Sequence, residues 1–116
     1  MRIIVGVDGS SIAGHFGHSE DFLIYTIEDG EVFSKERVSN PGHTPEMNPP
    51  QYVVSLKVDV AIGGTIGKHA YDILADSGLD TVFGATGEAD AAVETYLKGE
   101  LKTDAAAIFA PGTPCC

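Results

Sequence analysis

The sequence has 116 residues, 43% hydrophobic and 21% charged, with a formal net charge of −10, which describes one acidic domain with enough apolar surface for a core. Such a charge repels phosphate backbones and anionic lipid over about a Debye length, ~8 Å at physiological salt, so neither nucleic acid nor a membrane is expected as a partner. The first apolar run breaks at Asp8, no stretch approaches the ~20 apolar residues of a membrane span, and the two cysteines, Cys115 and Cys116, are adjacent; the expectation is a cytoplasmic protein without a disulfide framework.

Arg2 to Val7 (RIIVGV) is apolar on both faces, as a central strand covered on both sides would be. Phe22 to Glu28 and Glu31 to Val38 flank Asp29-Gly30, a strong hairpin signal because both turn residues tolerate positive φ. Ser34, Lys35, Glu36 and Arg37 give the third strand the charge of a sheet edge. Ser39 to Pro50 carries four prolines and reads as a long loop, with Pro49 and Pro50 able to open a short helix that runs on through Gln51 to Leu56. Val58 to Ile62 is a further buried strand. After Gly63 and Gly64, helical spacing of Ile66, Ala70, Ile73 and Leu74 predicts a second helix that Gly78 stops. Asp80 to Phe83 is the fifth strand. A third helix follows, with Thr86 as N-cap, Glu88 and Asp90 in its first turn, a Val93/Tyr96/Leu97 stripe and Gly99 as terminator.

An antiparallel meander leading into two right-handed βα crossovers predicts an α/β fold with a five-stranded mixed sheet of order 3-2-1-4-5 and helices packed on it, the ribonuclease H-like architecture. We expect one domain over residues 1–101 and a C-terminal tail over 102–116. In this topology the segments leaving the carboxyl ends of four strands meet at one sheet edge, where open α/β sheets bind ligands. They are Asp8 to Asp21 with His15 and His18, Ser39 to Asn48 with His43, the Gly63-Gly64-Thr65 turn and the Gly84-Ala85-Thr86-Gly87 turn.

His15-x-x-His18 serves either as two imidazoles on one metal or as a solvent-facing turn, and His43 from another loop would complete a three-imidazole set. His69 falls within the second helix and is left out. Cys115 and Cys116 are soft ligands on a tail long enough to reach the same edge, or simply the residues of a disordered terminus. GGTIGK departs from a phosphate loop at Ile62 and at His69 and reads as a strand-to-helix turn, either one able to cradle an anion or a simple tight turn. Asp8 and Glu46 do not complete the carboxylate cluster of a two-metal nuclease, and no nucleophilic triad is legible.

The stretches HFGHSEDFLIYTIEDGEV, NPGHTPE, VDVAIGGTIGKHAYDILADSGLDTVFGATG and AVETYLKGEL resemble the dinitrogenase iron-molybdenum cofactor biosynthesis family, which includes nitrogenase cofactor carriers and the orange protein of sulfate reducers. The resemblance spans roughly residues 2 to 101. It implies the same fold and the non-catalytic binding or carrying of a metal-sulfur cluster. Its HFG motif falls on His15, Phe16 and Gly17, its loop histidine on His43 and its glycine turn on Gly63, Gly64 and Gly67. Ser19 stands after His18, so any thiolate must come from Cys115 and Cys116; otherwise imidazole N–H groups, backbone amides and an apolar patch with Phe16 would hold the cargo. The expected cargo is a molybdenum–copper sulfide cluster, or an iron-molybdenum or iron-sulfur cluster, passed to a recipient protein. The competing reading is a regulatory or scaffold module that contacts another protein through the same loops without metal.

Overall fold

The computed structural model describes residues 1–16, 19–40, 49–100 and 108–109. In chain order its elements are β1 (Arg2–Asp8), β2 (Ser11–Ile12), β3 (Asp21–Glu28), β4 (Glu31–Ser39), α1 (Pro49–Ser55), β5 (Val60–Gly63), β6 (Ile66–Gly67), α2 (Lys68–Asp76), β7 (Asp80–Phe83), α3 (Ala89–Leu97) and β8 (Ile108–Phe109). Asp29 and Gly30 both take positive φ, 53° and 77°, which turns β3 into β4 as an antiparallel hairpin.

The hydrogen-bonded path across the main sheet is β4-β3-β1-β5-β7. β1 pairs antiparallel with β3 and parallel with β5, and β5 pairs parallel with β7. The sheet is mixed, with helices packed on it. It holds six strands, not five, because β2 folds back on the end of β1, Val7 opposite Ile12 and Asp8 opposite Ser11. That extra pairing shortens the free part of the loop after β1.

Alternation along the strands builds two cores. Ile3, Val5 and Val7 of β1 join Leu23, Tyr25, Val60, Ile62 and Val82 under Ala89, Ala92 and Val93 of α3. On the other face Ile4, Phe22, Ile24, Ala61 and Phe83 lie under Val53 of α1 and Ala70 and Leu74 of α2. Period-2 side-chain direction alone separates the two sets.

Beyond shifts of one or two residues at strand ends, such as β5 opening at Val60 and not Val58, two assignments differ from expectation. Ile66 belongs to β6, not to the helix; it is buried in the same core as Leu74, but its backbone pairs with Ile108 of β8. Glu88, not Thr86, is the N-cap of α3, and Ala89 N–H donates to Ser10 O at 3.0 Å. A neighbouring loop carbonyl thus satisfies an amide that a Thr86 cap would have served. Among the described residues no helix is long and apolar enough to cross a membrane.

Candidate functional site

The segment after β1 is sewn to the turn after β5 by main-chain bonds. Phe16 N–H donates to Thr65 O at 2.8 Å, Thr65 N–H to Gly14 O at 2.9 Å and Thr65 Oγ1 to the same carbonyl at 2.7 Å. These make a parallel bridge between His15 and Thr65. The turn after β7 joins them, with Gly84 N–H on Gly64 O at 2.7 Å and Ile12 N–H on Gly87 O at 2.8 Å. Three of the four expected loops therefore meet at the carboxyl edge, with the half-buried His15 at their crossing. The fourth, with His43, lies outside the described residues. Its leading residue Asn40 donates Nδ2–H to Ser19 O at 2.8 Å, which ties that loop's start beside the first.

At Gly6, Gly63 and Gly64 the space a side chain would take is filled by protein, whereas Gly14 and Gly87 meet nothing within 4 Å. A Cβ on Gly63 would come within 2.7 Å of Phe16 Cδ1, and one on Gly6 within 3.1 Å of the same atom. One on Gly64 would lie 2.5 Å from Ala13 O. Gly6 and Gly63 form a notch for the Phe16 ring, while Gly64 lets two backbone segments touch. Phe16 is 1% exposed and packs on Phe22 and Phe83 with centroids 5.3 and 5.5 Å away. Its place is in the core, where it pins the loop and presents no apolar surface to a ligand. Gly67, at the end of β6, is buried at the start of α2.

Sequence reasoning passed over Gly6, although an isolated glycine inside a strand signals close approach. It read Arg37 only as an edge charge, whereas its guanidinium donates to Asp21 Oδ2 at 2.8 Å and to Gly9 O at 2.7 Å and so spans both ends of the His15 loop. Ser19 is 4% exposed and its Oγ has no hydrogen-bond partner among the described residues. The backbone of Ser19 turns back on the loop crossing, its N–H donating to Phe16 O at 3.3 Å. That buried hydroxyl is a donor with no acceptor among the described residues, the kind of group that an added ligand or water would satisfy. Gly17, His18, Cys115 and Cys116 lie outside the described residues, and among the described residues no three His, Cys, Asp or Glu form a metal-holding group.

The first turn of α3 is fixed from the sheet. Tyr25 O–H donates to Asp90 Oδ1 at 2.5 Å, and Lys35 Nζ lies 3.2 Å from the same oxygen. Burial, then the bond to Asp90, pushes the Tyr25 phenol up; the Tyr25 bond, then that from Lys35, holds the Asp90 carboxyl below its ordinary range.

These features define a class: an α/β domain whose strand-end loops are laced together at the carboxyl edge of its sheet. The chain matches the family described as "Dinitrogenase iron-molybdenum cofactor" over residues 1–99, and it belongs to that family. It is 28% identical over 106 residues to an uncharacterized protein of Methanocaldococcus jannaschii, covering 88% of this chain and 90% of that one. The crystal structure of PH0822 superposes with a TM-score of 0.80 at 23% identity, covering 90% and 96% of the two chains. The apo form of the orange protein from Desulfovibrio gigas gives 0.75 at 22% identity, covering 90% and 92%. Both structures share the fold of this chain.

Proposed function

We propose that this chain binds and carries a molybdenum- or iron-containing metal-sulfur cluster in the cytoplasm without catalytic turnover, in its most specific form a molybdenum–copper sulfide. The domain is residues 1–101 in a ribonuclease H-like arrangement, with 102–116 as a tail. The observation that carries the reading is the loop crossing that holds the half-buried His15 against Thr65, together with the orphaned Ser19 hydroxyl on the same loop. Family membership supports it, since the family is described by an iron-molybdenum cofactor.

In this reading His15, His18 and His43 ligate the cluster or donate N–H to it, and Gly17 and the Gly63, Gly64 and Gly67 turn keep the backbone close. The anionic cargo meets neutral imidazole and amide donors, and these must offset Asp8, Glu20 and Asp21 on the flanks of the same loop. Cys115 and Cys116 supply thiolates. The pairing of β8 with β6 supports that part, because Phe109 lies opposite Gly67 and Cys115 follows six residues later, within ~20 Å of extended chain. A recipient protein then takes the cluster.

The test loads full-length chain anaerobically with tetrathiomolybdate and Cu(I), desalts it, and reads metal content and visible absorption. We expect stoichiometric metal on the wild type, reduced at least ~10-fold in a His15→Ala/His18→Ala variant. Colourless, metal-free wild type would overturn the reading in favour of a scaffold whose histidines are turn residues.

A further inference from the structure

The face under α3 is covered only in part. α3 buries the inner strands, whereas β4 is exposed along its length except at the half-buried Val38, and it forms the outer edge of the sheet. Between the β3–β4 hairpin and α3 runs a trough of about 490 Å³ lined by Gly30, Glu31, Val32, Glu94, Leu97 and Lys98. It adjoins, through Val32 and Glu94, a hollow of about 200 Å³ that reaches Tyr25, Lys35 and Asp90. Val32 is 43% exposed and Phe33 71%, the latter at the irregularity where the register shifts.

Lys35, Glu36 and the irregularity at Phe33 blunt the middle of this edge, yet its start at Glu31 and Val32, beside a trough with Val32 and Leu97 among charged residues, suits an added strand whose alternate side chains enter the trough. Charge selects the occupant. The ion pairs among the described residues are Lys35–Asp90 and Arg37–Asp21, which leaves Glu31 and Glu94 uncompensated against the single Lys98. A second copy is itself an acidic chain of net charge −10 and would be repelled, whereas a cationic segment would be drawn to Glu31 and Glu94.

We propose that the trough is a docking surface for an extended, lysine- or arginine-bearing segment of a partner protein, which adds to β4 and seats one aliphatic or aromatic side chain on Val32 and Leu97. The hairpin tip lies at the amino end of β1, across the sheet from the loop crossing. A docked partner leaves the His15 edge open, and the proposal stands independently of any cargo.

The test titrates ¹⁵N-labelled full-length chain with a short synthetic peptide of alternating lysine and leucine, and with its glutamate-for-lysine counterpart. Saturable amide shifts confined to residues 31–35 and 94–98, weakened about tenfold by Val32→Lys and by Glu94→Lys and reduced at high salt, are the expected result. Val32 is exposed, and the dispersion of the variant's spectrum reports that it folds. Absence of shifts at millimolar peptide, shifts indifferent to Val32→Lys, or equal binding of the glutamate peptide would each overturn the proposal. Self-association of the chain abolished by Val32→Lys would also overturn it and would assign the trough to a second copy.

Discussion

Gly63 and Gly64 are adjacent, yet they are glycine for different reasons, and substitution separates them. A Cβ on Gly64 meets two carbonyl oxygens, Ala13 O at 2.5 Å and Gly14 O at 2.8 Å, and neither can rotate away. Gly64→Ala should cost ~1–3 kcal/mol, read from the urea midpoint, and no side-chain change should restore it. A Cβ on Gly63 meets mainly the Phe16 ring. Gly63→Ala should therefore be partly rescued by Phe16→Leu, with a coupling of ~0.5–3 kcal/mol in a double-mutant cycle that Gly64→Ala does not show. The Tyr25–Asp90 bond predicts a pH signature with two limbs. Asp90 is depressed, so its contribution is present above the unfolded carboxylate value of ~3.9 and is lost as pH falls through the folded value. Tyr25 is raised, so its contribution is present below the unfolded value of ~10 and is lost as pH rises through the folded one. Asp90→Asn should flatten the acid limb of the stability profile and Tyr25→Phe the alkaline limb. The acid effect should be small, because the Asp90 side chain is 65% exposed and screened by solvent.

Among the elements, the β3–β4 hairpin has a turn that rests on backbone chemistry alone. Gly30 has φ of 77° and a Cβ placed on it would meet nothing within 4 Å, so Gly30→Ala isolates the left-handed penalty, ~1–2 kcal/mol in the denaturation midpoint. This element was legible from Asp29-Gly30 between two β-prone runs because the signal is local. So were the buried parallel strands and the apolar stripe of α3, where Val93 is buried and Tyr96 and Leu97 pack on the same core. What stayed hidden depends on distant partners. Nothing near Thr86 announces that Ser10 O will take Ala89 N–H, and nothing in Ser11-Ile12 announces a strand until Val7 and Asp8 lie opposite. Ile66 carries the apolar character of both a helix and a strand, and its pairing with the distant Ile108 decides between them.

On the scale of the molecule, the meeting of the loops follows from strand direction and was legible from element order, but what fills their junction was not. HFG reads as a ligand motif, while its phenylalanine is spent on the notch between Gly6 and Gly63. That packing has a dynamic consequence. Ala13, Phe16, Thr65 and Gly84 lie in loops by sequence, yet their amides donate to Gly6 O, Thr65 O, Gly14 O and Gly64 O at 2.7 to 2.9 Å. The Phe16 loop that carries three of these bonds is anchored by a ring buried in the core shared with Phe22 and Phe83, so its local opening should draw on much of the global stability. Hydrogen exchange on the ligand-free chain should find these amides protected to a degree approaching that of Ile4 and Val5 in β1, well above the exposed amides near Gly9 and Ser10. Exchange at ordinary loop rates would mean that the edge assembles only when something binds, and binding would then carry an ordering cost. Protection near that of the central strand would mean that the loop crossing is rigid beforehand, and a ligand at His15 would meet donors already in position.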